Sequence, residues 1–256
     1  MTIHVAIPDT QAKPGVSTQH LTWIGKYLVD QLAGRDDVKL IHLGDHWDMP
    51  SLSSYDKGRK AMEGRRYLAD LKAGNEAFAI LNKPLEDYNK KRAGYKEKQW
   101  WPERHFLLGN HEDRITRAAE ADAQLDGLLS LDSLDTRGWT VHPFLKPLFL
   151  DGIGYAHYWQ NTMTSKPLGG MALTRLKHLG HSFTMGHQQT LDYAIRFVNG
   201  RSQHALIAGA AYEHSEDYKG YQGNAHWRGI IICHDVQDGS YDPMFVSLAY
   251  LKRRYG

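Results

Sequence analysis

The chain has 256 residues, of which 41% are hydrophobic and 23% charged, with a net charge of +2. That length and balance exclude a disordered or fibrous chain and suit one α/β domain over residues 1–256. The single cysteine, Cys233, excludes an internal disulfide, and the net charge is too small to argue for nucleic acid by itself.

Thr2 to Ile7 alternates and is β-branched, which predicts a strand closed by Pro8. Thr18 can cap a helix whose apolar positions Leu21, Ile24, Leu28 and Leu32 recur at helical spacing and stop near Gly34. Val38 to His42 reads as a second strand, so the opening is a βαβ unit with parallel pairing. From Lys57 to Lys91 the pattern is helical, with a break expected at Pro84. The basic residues Lys90, Lys91, Arg92, Lys96 and Lys98 are interleaved with acids, which favours a solvated helix face over a polyanion patch. Arg104 to Leu108 predicts a third strand, Glu112 to Ala121 a helix, and Asp122 to Asp135 helix plus loop.

The second half reads as mostly β. Leu148–Leu150 and Ile153–His157 flank Asp151-Gly152. Asp192–Val198 and His204–Ile207 flank Asn199-Gly200. Arg228–His234 and Pro243–Tyr250 flank the Gln237 to Ser240 turn. Each pair is a hairpin signal. Ser182 to Met185 is a short strand ending in Gly186-His187. There is no basic-then-apolar leader at the N-terminus and no apolar run of about 20 residues to span a bilayer; with the lone cysteine, this points to the cytoplasm.

Several of these strands end in clusters of Gly, Asp, Asn or His, and ligands of open α/β sheets bind beyond such carboxyl ends. Asp9 and Asp45 supply anionic oxygens, Asn110 a neutral carbonyl oxygen, and His157 and His187 imidazole nitrogens. This mixture suits Mn²⁺, Zn²⁺ or Fe rather than a thiolate site, and fifteen histidines agree with metal chemistry. Read singly, each has a plainer alternative: Asp9 and Asp45 as caps, Asn110 as a turn residue, His157 as a core histidine, Glu112 as a first-turn helix acid.

Taken together, Asp9-Thr-Gln11, Gly44-Asp45-His-Trp-Asp48, Gly109-Asn110-His111-Glu112, His157 and Gly186-His187-Gln-Gln189 stand in one order. In that order they resemble the motifs of the calcineurin-like metallophosphoesterases. The resemblance implies a four-layer αββα sandwich of two mixed sheets flanked by helices, and a pair of divalent ions, Mn²⁺ first, with Mg²⁺, Zn²⁺, Ni²⁺ or Fe as alternatives. It implies that Asp45 bridges the ions, that Asp9, Gln11 and Gln189 belong to the first, and that Asn110, His157 and His187 complete the second. It implies His111 as proton donor to the leaving oxygen, with Asp48 orienting it. Arg114 and His46 are the expected substrate contacts.

The family carries histidine where this chain has Gln11 and Gln189, so the first ion is expected to bind weakly. The tail from Trp227-Arg228-Gly229-Ile230 resembles the ending of phage-encoded members, which implies the host cytoplasm and a nucleotide or nucleic-acid phosphoester. The expected activity is therefore that of a phosphodiesterase or nuclease. A phosphomonoesterase or phosphoprotein phosphatase is the alternative within the enzyme class, and a degenerate metal-binding interaction protein the alternative outside it.

Overall fold

In the computed structural model, which describes residues 2–216 and 219–256, the opening alternation resolves into β1 (Thr2–Ile7) with two differently buried faces. Ile3, Val5 and Ile7 point into one core and Ala6 into another, as the two-residue period of a strand requires. The parallel partner β2 (Val38–His42) follows α1 (Gln19–Leu32), with Ile3 opposite Val38 and Ile7 opposite His42. That register makes β1 and β2 end side by side, so Asp9 and Asp45 leave adjacent strand tips.

The chain continues through α2 (Tyr67–Gly94), β3 (Glu103–Leu107), α3 (Asp113–Ala121), β4 (Thr140–His142), β5 (Leu148–Leu150), β6 (Ile153–Ala156) and α4 (Ala172–Leu179). After these come β7 (Phe183–Met185), β8 (Leu191–Val198), β9 (Arg201–Ala208), α5 (Gly220–Asn224), β10 (Gly229–Gln237), β11 (Ser240–Ser247) and α6 (Leu248–Tyr255). One mixed sheet runs β11-β10-β1-β2-β3-β4 and the other β5-β6-β7-β9-β8. Their inner faces meet through Ala6, Ile41, Leu43 and Leu107 from the first sheet and Ile153, Tyr155, Leu206 and Ala208 from the second. Leu21, Ile24 and Leu28 of α1, Phe78 and Leu81 of α2 and Leu251 of α6 cover the outer face of the first sheet. Ala172 and Leu176 of α4 cover the second. The protein is thus an α/β fold of two mixed sheets, packed face to face and flanked by helices.

All three anticipated hairpins form with two-residue turns, Leu150 opposite Ile153, Val198 opposite Arg201 and Gln237 opposite Ser240. In each turn both central residues have positive φ, the backbone that Asp-Gly and Asn-Gly accept most readily.

Other expectations are corrected. Helix α2 begins only at Tyr67, and residues 57–66 are turns with a short 3₁₀ segment, Lys60–Met62. Pro84 does not break α2, because it packs against Gly25 of α1 and tertiary contact outweighs the roughly 3 kcal/mol propensity cost. The segment from Asp122 to Asp135 holds only two 3₁₀ turns. The last strand ends at Ser247, whose hydroxyl accepts from Tyr250 N and caps α6.

Candidate metal centre

Every parallel strand of the two sheets runs toward the same crevice, and the loops beyond β1, β2, β3, β6 and β7 line it. These loops are stapled to one another by main-chain bonds. Gln11 N donates to Asp45 O at 2.9 Å, Ala12 N to His46 O at 2.6 Å, and Ala211 N to Asp9 O at 2.8 Å. Five non-glycine residues here, Gln11, Asp45, Met49, His187 and Gln189, have positive φ. Each such residue is held at a cost of roughly 1–2 kcal/mol, and backbone outliers of this kind cluster at functional sites. Gly109 and Gly186 are required by close approach: a Cβ at either would lie 2.2 Å from Asp45 Oδ1 or 2.4 Å from Asp9 Oδ1.

Asp45 and His157 lie at the centre, both buried, with Asp45 Oδ2 3.3 Å from His157 Nε2. Asn110 Oδ1 lies 2.9 Å from the same nitrogen. His157 Nδ1 is 2.8 Å from Leu43 O, a carbonyl that can only accept, so Nδ1 carries a proton and Nε2 is the atom that could ligate a cation. Three electron-pair donors therefore converge, and only a proton or a cation can sit among them. Burial works against charge on His157, but Asp45 and then Asp9 prevail and push its pKa up to about 9. Donor atoms of Asp45, His157 and His187 all fall within 4.8 Å of one another. Burial, then the charge of His157, lowers the pKa of His187 to about 4, so its lone pair is free at neutral pH.

A positive charge also fits the Asp9 side of the site. Asp9 Oδ2 and both side-chain amide atoms of Gln11 are buried without a hydrogen-bond partner, although such orphaned groups cost about 1–3 kcal/mol each. Asp9 Oδ1 accepts from His187 N at 2.9 Å. Burial and the nearby Asp45 raise the Asp9 pKa to about 6, against the pull of His157.

Beside this cluster, His111 Nδ1 donates to Asp48 Oδ1 at 2.7 Å, and His111 Nε2 faces Asp45 Oδ2 at 3.7 Å. Burial alone would raise the pKa of Asp48, but His111, Lys13 and Arg114 hold it well below the usual carboxylate range. Arg114 is also at the site, though one of its nitrogens donates to the carbonyls of Asp48 and Met49, and another lies 3.0 Å from His111 Nε2.

Two expected roles are corrected. His46 is fully buried, its Nδ1 2.6 Å from Thr10 Oγ1 and its Nε2 3.0 Å from Gly74 O, so it cannot reach a substrate. Gln189 does reach the crevice, but its carbonyl oxygen accepts from Tyr212 at 2.8 Å and from the Lys219 ammonium, leaving it poorly disposed as a ligand.

Further residues carry more of the site than their spacing suggests. Glu112 is fully buried at the start of α3 and accepts four main-chain N–H groups, from Asp45, His46, Trp47 and Gly109, at 2.7–3.0 Å. Burial and Asp45 push its pKa up, yet each oxygen faces two donors and neither has room for a proton, so the ionised form is the one that fits. Lys13 bridges Asp48 at 3.0 Å and Glu216 at 2.7 Å. No protein-family model matches this chain, and no curated protein matches it. Among the described residues, no helix is long and apolar enough to cross a membrane.

Proposed function

We propose that this chain is a metal-dependent phosphoester hydrolase of the calcineurin-like type, acting on a phosphodiester of nucleotide or nucleic-acid class. The observation that carries the reading is the convergence of Asp45 Oδ2, Asn110 Oδ1 and His157 Nε2, with His187 beside them and the His111–Asp48 pair at their edge. Asp45, Asn110, His157 and His187 would hold a divalent ion, and their mixture of oxygen and nitrogen donors matches Mn²⁺. Such an ion, when bound, acidifies water and offsets phosphate charge.

The chain's own groups supply the rest. Asp48 holds the Nδ1 proton of His111 and fixes the ring; Nε2, which accepts from Arg114 here, would pass a proton to a leaving oxygen from the protonated form that Asp45 and Asp48 favour against burial. Arg114 stands next to that nitrogen and offers a guanidinium to a phosphate oxygen. Glu112 ties the loop after β2 to the loop after β3 and so fixes Asp45 relative to Asn110.

The test is turnover by the chelator-stripped protein resupplied with Mn²⁺, Mg²⁺, Zn²⁺ or Ni²⁺. The substrates are p-nitrophenyl phosphate, bis-p-nitrophenyl phosphate and single-stranded DNA. Metal-dependent cleavage of the diester or DNA, lost in Asp45→Ala and His111→Ala, is the expected result. Cleavage of the monoester alone would move the assignment to a phosphomonoesterase. Mn²⁺ binding with no turnover of any substrate would favour a binding protein.

A further inference from the structure

The two halves of the crevice are not chemically equivalent. On one side Asp45, Asn110, His157 and His187 present converging donors. On the other, Asp9 Oδ2 and the Gln11 amide are buried and unpartnered, and the Gln189 oxygen already receives two donors. One is the Tyr212 hydroxyl. The other is the ammonium of Lys219, which also lies 3.3 Å from Tyr212 Oη.

Lys219 is placed there by structure of its own. Its main-chain N–H donates to Glu216 O at 3.0 Å, and Asn224 Nδ2 donates to that carbonyl at 2.9 Å and to Gly220 O at 2.7 Å. Asn224 Oδ1 accepts from Glu216 N at 2.8 Å, so one side chain fastens both ends of the turn that carries Lys219. Burial outweighs the favourable charges of Asp9 and Glu216 and holds the Lys219 pKa below the ordinary lysine value.

From this arrangement we infer that the protein holds a single divalent ion, on the Asp45, Asn110, His157 and His187 side, and that the Lys219 ammonium is the built-in cation of the Asp9, Gln11 and Gln189 side. A lysine reaching the Gln189 oxygen removes one of the few donors a second ion would need and repels that ion. Its positive charge is favoured by Asp9, and a point-charge ammonium at this place suits a phosphate oxygen. Lys219 would then be a catalytic residue of the reaction proposed above, on which this inference rests.

The test counts metal rather than turnover. The full chain is stripped with chelator and dialysed against saturating Mn²⁺; bound metal is measured by elemental analysis, and the spin state by low-temperature electron paramagnetic resonance. The expected result is one Mn²⁺ per chain with the spectrum of an isolated ion. Lys219→Gln should take up a second ion with a spin-coupled spectrum, whereas Lys219→Arg should stay at one. Two coupled ions in the wild-type protein would overturn the inference while leaving the hydrolase reading intact, as would a Lys219→Gln protein that still binds one. No bound Mn²⁺ in the wild-type protein would overturn both. Should Lys219→Gln fail to fold, the wild-type count alone still decides.

Discussion

Replacing Glu112 by Gln changes one oxygen into an amino group and little else in shape, which makes it a clean probe of the carboxylate that fastens the crevice. Asp45 N and Gly109 N donate to one oxygen, His46 N and Trp47 N to the other, all within 3.0 Å. Whichever oxygen is replaced, two buried N–H groups then face an N–H₂ donor. Charge-assisted hydrogen bonds contribute roughly 1.5–3 kcal/mol each, so losing two gives a destabilisation of about 3–6 kcal/mol. For a domain of this size that corresponds to a fall in Tm of roughly 10 °C. Because the amides released are Asp45 N itself or those of the two residues that follow it, Mn²⁺ affinity should also fall, by about 10–100-fold, as when a group supporting a ligand is removed. Urea unfolding at pH 7.5 reads the first effect as a lower midpoint at unchanged slope, and calorimetric titration of Mn²⁺ reads the second. A variant within about 1 kcal/mol of wild type, with unchanged Mn²⁺ affinity, would refute the argument that this carboxylate is ionised and holds the two loops together.

Three further outcomes are expected. Asp48→Asn should lower kcat/KM about 10–100-fold with little change in fold stability, and flatten the limb of the pH–rate profile that reports His111; an unchanged profile would remove Asp48 from its positioning role. Saturating Mn²⁺ should stabilise the stripped protein, by about 2.7 kcal/mol at a hundred times Kd, and the thermal shift should vanish in Asp45→Ala; persistence of the shift would place the ion elsewhere. His20 is buried with neither ring nitrogen partnered, and burial, then the charges of His214 and His46, lowers its pKa to about 3. The unfolded chain therefore binds a proton below about pH 6.5 that the folded chain refuses, and stability is lost as pH falls from there toward 3. Between pH 7 and pH 5 this site should cost about 2 kcal/mol, and His20→Leu should abolish that part of the acid-side loss in urea titrations at the two pH values.

The parts of the fold legible in the sequence were those set by short-range chemistry. Alternation in Thr2–Ile7 marked a strand with two buried faces, and Asp151-Gly152, Asn199-Gly200 and Asp238-Gly239 marked turns because few other pairs accept positive φ twice in succession. Tertiary packing overrode local signals elsewhere. Pro84 stays inside α2 because α1 lies against it, and Arg175 ties α4 to the loop after β7 by donating to Gln188 Oε1 at 2.5 Å, a partner no periodicity names. Helix α6 follows a strand without a break in apolar character, so only the Ser247 cap marks the change, and a strand reading runs past it to Tyr250.

At the site the same division recurs with a different cause. Residues that end strands, Asp9, Asp45, Asn110, His157 and His187, announce themselves because strand tips on one side of a sheet must share a crevice. Glu112 has the residue type and position of an ordinary helix acid, and only the arrival of four amides from two loops makes it the anchor of Asp45. Lys219 is further removed still: it lies 30 residues beyond Gln189 and outside every motif, on a turn that Asn224 holds in place. Under the single-ion proposal, Gln189 and the lysine that meets it are read together. A neutral carbonyl next to an ammonium is stable where an imidazole ligand would compete with it for the same space. Spacing alone names Gln189; the lysine that meets its oxygen is visible only in the folded chain.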